Sequence, residues 1–401
     1  MQIHAPHLAA RLAPLTTFAL LLSYQAQPAR ADVITDWNIK SAELIAEARL
    51  GTPSAVRLMA LLQTAASQAV DATKLAASID AAVSSAHCVV LRKALPMQAS
   101  SVDAVCQAAL ALVADGSAKF GGAGAGARAA TTLLASRADD VVQTTESYRP
   151  HTSAGTYVPT GTPAVPQWPQ RKPWLLANAA QFRPGPPPSL ASTRWAQDYD
   201  EAKEPGGKVS AKRTAEQTKA ARFWEYSLPA IYFGIVRSMA LMPGRDVKRN
   251  AHLFAAVAQA MDDTLISVFE AKYHYNFWRP VTAIRNGDLD GNDATQRDAA
   301  WTSLIEAPLH PEYPSAHSAV EAAVATVFRS EIEASPMPVL ATSSPTANSA
   351  VRHWSSVDDF VREVSDARVF GGIHFRAATE AGEALGRRVG EVAAATLQPA
   401  H

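Results

Sequence analysis

The segment SAVRLMALLQTAASQAV (residues 54–70) decides the class of fold. Val56, Met59, Leu62, Ala66 and Val70 recur every three or four positions, the period of one helix face and not the alternation of a half-buried strand. Working outward, the same spacing fills 36–50 and carries the helix on to residue 87, then returns in 101–114 and 127–144. Alanine, the cheapest residue in a helix, is abundant, and alternating β-branched runs are scarce. An all-α fold follows. The glycine-rich run 120–126 reads as a flexible connection between helices. It lacks the preceding strand and the glycine spacing of a phosphate loop.

From 148 to about 193 prolines are too frequent for any helix to persist, among them Pro159, Pro163, Pro166, Pro169, Pro173 and Pro186–Pro188. Trp168, Trp174 and Phe182 within this stretch favour an ordered strap draped over the helices, because disordered linkers lack such side chains. Helical periodicity resumes in 214–241, 247–275, 296–306, 316–333, 356–369 and 375–397, giving two helical bundles with antiparallel neighbours. The expected organisation is a leader at 1–31, an N-terminal bundle at 32–147, a proline-rich loop at 148–200 and a second bundle at 201–401 that holds the functional site.

The chain has 401 residues, 48% of them apolar, enough for a sizeable core. Lys+Arg and Asp+Glu are 37 each, so no global field recruits nucleic acid or an anionic membrane, and any anion site must be a local cluster. Arg11, the apolar run 12–22 and Ala29-Arg30-Ala31 form an export signal cleaved before Asp32, which implies a periplasmic or extracellular protein. No later segment is long and apolar enough to span a bilayer. In an exported chain the pair Cys88 and Cys106 is expected to form a disulfide, contributing about 3 kcal/mol in the chain-entropy account.

Three segments of the second half concentrate cations, imidazoles and hydroxyls. In Lys272-Tyr-His-Tyr-Asn-Phe-Trp-Arg279-Pro280, proline ends helical geometry and lets two cations converge. In Pro311-Glu-Tyr-Pro-Ser315-Ala316-His317-Ser318, a serine caps an alanine-rich helix whose free N–H groups suit an anion. In Arg368-Val-Phe-Gly371-Gly372-Ile-His374, paired glycines set a cation and an imidazole across a tight turn. The order Lys-x6-Arg-Pro, Pro-Ser-x-His, Arg-x5-His resembles the three-part signature of the vanadium-dependent haloperoxidase and type-2 phosphatidic acid phosphatase superfamily, in its soluble haloperoxidase-like branch.

That resemblance implies a set of roles. Lys272, Arg279 and Arg368 would neutralise the equatorial oxygens of a vanadate or phosphate, with Ser315 and the Ala316 N–H as neutral donors. His374 matches the residue that ligates vanadium in haloperoxidases and attacks phosphorus in phosphatases, and His317 matches the acid–base histidine. Vanadate is the implied cofactor, phosphate its competitor, and hydrogen peroxide and halide the substrates. His317 would handle the peroxide proton, Lys272 would polarise the oxidant, and the halide would leave as hypohalous acid. The second reading is a soluble acid phosphatase with a phosphohistidine intermediate. A third is a protein that keeps the cage without turnover. A homo-oligomer is compatible with all three.

Two positions depart from the family pattern. Ala316 stands where glycine is usual, and Ala378 where phosphatases place an acid four residues after the histidine, leaving Glu380, Asp262 or Asp263 as candidates to orient His374. His310, seven residues before His317, resembles the histidine of bromide-oxidising members and points to bromide or iodide.

Overall fold

The computed structural model describes residues 32–74, 76–140, 148–332 and 337–397. The expected leader, residues 1–31, lies outside them. Thirteen helices appear among the described residues. The first group comprises α1 (Val33–Glu47), α2 (Thr52–Ala72), α3 (Ile79–Ala94), α4 (Ala99–Ala111) and α5 (Ser117–Ser136). After the strap come α6 (Thr193–Gly206), α7 (Ala215–Phe223), α8 (Ala230–Ala240), α9 (Val247–Tyr275), α10 (Pro280–Arg285), α11 (Ala316–Ile332), α12 (Val357–Phe370) and α13 (Arg376–Ala395). The all-α reading holds, with one small exception. β1 (Leu340–Ser344) and β2 (Ala350–Trp354) form an antiparallel hairpin, in register from Leu340 opposite Trp354 to Ser344 opposite Ala350.

Helix α9 ties the molecule together. One continuous apolar cluster runs from Ile34, Leu62 and Val83 of the first group to Phe254 and Leu265 of α9 and Phe328 of α11. Full burial of side chains of this size stabilises by about 1.5–3 kcal/mol each. Cys88 and Cys106 join α3 to α4 as a disulfide, with Cα atoms 5.8 Å apart.

Several expected elements change. The single helix over 54–87 is two, because Ser78 accepts the Ala81 N–H at 3.2 Å and starts α3 afresh. The helix over 214–241 breaks ahead of Pro229, which has no N–H to continue the ladder. Residues 296–306 are not helical; Trp301, Leu304 and Ile305 instead tie this segment to α6 and the 371–372 turn, with Ile305 N donating to Gly371 O at 3.0 Å. Helices α6 and α10 and the hairpin were not foreseen. The glycine run 120–126 is the interior of α5, not a connection. A Cβ on Gly126 would lie 1.9 Å from the Ala82 carbonyl oxygen of α3, so glycine lets the two helices touch backbone to backbone. Gly126→Ala would have to push them apart, at about 1–3 kcal/mol.

The strap has no α-helix between residues 148 and 192, as its prolines dictate. It is held by charge. Asp263 of α9 accepts the N–H groups of Trp174 and Leu175, each at 2.7 Å, and of Leu176 at 3.1 Å. Asp262 accepts Trp174 Nε1 at 2.7 Å and Arg57 Nη1 at 2.6 Å.

Candidate oxyanion site

Helix α9 ends where Asn276 takes the left-handed conformation (φ 49°) and returns its N–H to the Lys272 carbonyl at 2.8 Å. Asparagine tolerates this geometry better than most residues. The chain that follows is stitched on both sides. Tyr157 N donates to Asn276 O at 2.8 Å, Trp278 N to Gly155 O at 3.0 Å, and Glu312 N to Phe277 O at 2.9 Å. An aromatic layer backs it, in which Trp195 of α6 stacks on Trp278 at 5.8 Å and meets Phe375 edge-on at 4.8 Å. The loops carrying Arg279 and His374 therefore rest on one rigid platform.

The three sequence segments do converge. Lys272 is fully buried, and its Nζ donates to the carbonyls of Pro311 (3.0 Å), Glu312 (2.8 Å) and Pro314 (2.5 Å). Burial, then the neighbouring Arg279, pull its pKa well below 10.5. A neutral amine has only two protons for these three acceptors, so the ammonium is the form this geometry satisfies. Arg279, 1% exposed, caps α10 and donates from Nε to His310 O (3.0 Å) and from Nη1 to Ile373 O (2.8 Å); Nη1 also lies 3.3 Å from His374 Nε2, and Nη2 3.0 Å from His310 Nδ1. Arg368, in the last turn of α12, donates Nη1 to the Trp224 carbonyl, while its Nε is buried with no partner.

His374 follows the Gly371-Gly372 turn. Gly372 sits at φ 70°, and a Cβ there would lie 2.2 Å from the Gly206 carbonyl oxygen, so glycine is required twice over. His374 Nδ1 lies 2.8 Å from Glu312 Oε1, which also accepts the Phe375 N–H at 2.9 Å. The carboxylate fixes the tautomer: Nδ1 carries the proton and Nε2 keeps its lone pair. Burial, then Arg279, Lys272 and Arg368, hold the His374 pKa well below 6.5, so the ring is neutral at neutral pH. Burial pushes Glu312 up to about 7, against the pull of Arg279 and Lys272.

A cavity of about 440 Å³ opens on this cluster. His310, Ala316, His317, Arg368 and His374 line its floor, and Phe269 and Leu309 belong to its apolar walls. His317 Nε2 lies 3.4 Å from the Tyr226 carbonyl, and burial followed by the charge of Arg368 holds its pKa well below 6.5. Lys272, Arg279 and Ser315 stand behind this surface. Ser315 Oγ is turned into α11 and lies 3.0 Å from Ser318 Oγ, while Ser315 N donates to Ala378 O at 2.9 Å.

Of the three carboxylates proposed to orient His374, none does so. Asp262 and Asp263 clamp the strap, and Glu380 pairs with Arg194 at 2.8 Å. The partner is Glu312, inside the quoted Pro-Glu-Tyr-Pro-Ser segment but passed over. Its signal was a carboxylate between two prolines, where no helix needs one. Three buried cations, Lys272, Arg279 and Arg368, thus share the buried carboxylate Glu312, and Arg368 also lies near Glu225 and the buried Glu321. Unmatched buried charge is costly, so this surplus with an unserved Arg368 Nε is chemistry suited to a tetrahedral oxyanion. No group of three or more His, Cys, Asp or Glu suited to a bare metal ion occurs among the described residues. No helix among them is long and apolar enough to cross a membrane.

Helical architecture and a cationic, imidazole-lined cavity define the class, and comparison with known proteins agrees. Residues 252–400 match the family described as the VCPO second helical-bundle domain. The vanadium chloroperoxidase of Curvularia inaequalis is 28% identical over 146 residues, a match that takes in 30% of this chain and 23% of that enzyme. Among solved structures, the first bacterial vanadium-dependent iodoperoxidase superposes with a TM-score of 0.78 at 21% identity, covering 91% of this chain and 96% of that one. An apo-type bacterial vanadium-dependent chloroperoxidase gives 0.69 at 19% identity, covering 85% and 92%. Residues 252–400 are thus similar in sequence to the second helical-bundle domain of vanadium chloroperoxidases, and the chain shares its fold with bacterial vanadium-dependent haloperoxidases.

Proposed function

We propose that this protein is an exported vanadate-dependent haloperoxidase that oxidises halide with hydrogen peroxide. The observation that carries the reading is the His374–Glu312 pair, which leaves Nε2 as a neutral donor beside three buried cations. Arg368 would hold the oxyanion at the cavity surface, Arg279 and Lys272 would add their charge from behind, and the first N–H groups of α11, from Ala316 on, would serve its remaining oxygens. His374 Nε2, which now lies against Arg279 Nη1, would be the ligand to vanadium. Bound vanadate would supply the Lewis-acidic centre at which peroxide is activated and halide oxidised. His317, at the cavity surface and neutral at neutral pH, is placed to take and return a proton and would do so for peroxide. His310, bonded to Arg279 at the cavity wall, supports a readily oxidised halide, bromide or iodide. The family comparisons do not favour the phosphatase reading.

The test is to load the chain lacking residues 1–31 with orthovanadate and to assay halide- and peroxide-dependent halogenation beside hydrolysis of a phosphomonoester. The expected result is halogenation that requires vanadate and disappears in His374→Ala. Full activity in that variant, or phosphate release without halogenation, would overturn the reading.

A further inference from the structure

A second cluster of ionisable side chains lies in the core behind the cavity, and the reaction described above does not use it. Glu321 of α11 is fully buried, and its Oε1 lies 2.8 Å from Ser365 Oγ of α12. Glu383 of α13, half-buried, places its own Oε1 2.5 Å from the same hydroxyl. A hydroxyl donates one proton and otherwise accepts. Two ionised carboxylates cannot both be served by it, so one of the pair is a carboxylic acid that donates to Ser365 Oγ while Ser365 donates to the other. Glu383 faces an open groove lined by Arg329, Arg362, Arg387 and Asp358. Glu321 has the opposite surroundings: burial, then the charge of Glu383, raise its pKa well above 4.5, and its Oε2 has no partner. The proton resides on Glu321.

The position of that proton relative to the cavity gives it a use. Glu321 lies four residues after His317 on α11, and Ser365 three residues before Arg368 on α12, so each is one turn from its counterpart on the same helix face. The hydrogen bond between Glu321 and Ser365 joins the two helices in a layer directly behind the one that holds His317 and Arg368. The ionisable groups acting on Glu321 are Glu383 from α13 and Ser365, Arg368 and Asp366 from α12, and Glu321 in turn acts on Tyr232 of α8. Helix α9 meets this part of α11 with apolar side chains, Val268 against Ala319.

We propose that Glu321 is a positioning residue for Arg368: as the neutral acid held through Ser365 and Glu383 it leaves the guanidinium charge to the bound oxyanion, and its ionisation weakens oxyanion binding. The sign follows from linkage, since an anion created beside Arg368 competes with the oxyanion, and oxyanion binding in turn favours the protonated acid. This inference rests on the cationic cage being an oxyanion site, and holds whichever reaction the cage performs.

The experiment measures tungstate binding by calorimetry from mildly acidic to alkaline pH, with tungstate chosen because it remains a dianion across the range. In the unaltered chain the affinity should fall, as pH rises, by at least about tenfold more than in Glu321→Gln, which is neutral at every pH; a unit charge within about 12 Å of another at an effective dielectric near 20 is worth that factor. Glu383→Gln removes the charge that keeps the proton on Glu321, so the fall should move to lower pH. Identical profiles for the unaltered chain and Glu321→Gln would overturn the inference alone. Absence of tungstate binding by the unaltered chain at any pH would remove the cage and the inference with it. If Glu321→Gln does not fold, an unshifted profile in the half-buried variant Glu383→Gln overturns the inference.

Discussion

Helix α9 carries two buried charge clusters, and they are built on opposite principles. Toward its middle, Asp262 and Asp263, with Asp140, face Arg57, Arg171 and Arg137 around the strap, three acids against three guanidinium groups. Arg57 pairs with both Asp140 and Asp262, and Arg137 stacks on Trp174 at 3.9 Å. At the C-terminal end of α9, Lys272 joins Arg279 and Arg368 around the buried carboxylate Glu312, with Glu321 a layer behind Arg368. The first cluster is closed by the chain's own groups, Asp262 Oδ1 and Arg171 Nε apart. The second is left with a surplus of positive charge facing a cavity. Burial and charge are common to both; what separates a structural clamp from a binding site is whether the charges cancel within the protein.

This contrast can be broken by experiment, beginning with the clamp. Arg57→Met leaves Asp140 and Asp262 buried without their shared partner and should destabilise the fold by about 3–5 kcal/mol, read by denaturant unfolding, with no dependence on added vanadate. Loss of vanadate affinity without loss of stability would reverse the two roles. In the cage, Arg368→Ala should lower vanadate affinity by about 10²–10³-fold. The stability of the vanadate-free chain should change little or rise, because a repulsive cation is gone; a large drop would make Arg368 structural. Saturating vanadate, at a hundredfold its dissociation constant, should stabilise the unaltered chain by about 2.7 kcal/mol and Arg368→Ala far less.

Glu312→Gln keeps the shape of the His374 partner but not its charge, and should cost about 10–100-fold in vanadate affinity. Unchanged affinity would show that the 2.8 Å contact does not set the His374 tautomer. The smallest effect is in pH. An imidazole at its ordinary 6.5 would be about three-quarters protonated at pH 6 and would lose about threefold in affinity on going down from pH 7. Burial and three cations hold His374 well below 6.5, so it stays neutral, and in Glu312→Gln, which has no carboxylate there to titrate, affinity should change by less than about twofold over that interval. A fall of about threefold in that variant would mean the ring is more open to water than its 2% exposure implies.

Helical period, the proline-dense strap and the three cationic segments were legible in the sequence because each is a local pattern: the bounds expected for α9, residues 247–275, are those observed. Its errors fell where a local signal met a distant surface. The glycines of α5 read as a break, yet they are helical because α3 lies against them. Residues 296–306 read as helix and became an irregular bridge to α6 and the Gly371-Gly372 turn. Asp262 and Asp263 were sensible guesses for the His374 partner, since nothing along the chain says which way a carboxylate on a buried helix points.

The amino-acid order alone determined that the protein is helical and that its cations, imidazoles and hydroxyls come in three short runs on the C-terminal side of the strap. Only the tertiary structure decided that those runs meet at one cavity, that Glu312 holds His374, and that Glu321 and Glu383 from two helices meet at the Ser365 hydroxyl of a third. The physical reason is that helical periodicity depends on neighbours a few residues apart, whereas charge balance and the ownership of a proton depend on which groups fold to within about 3 Å of one another.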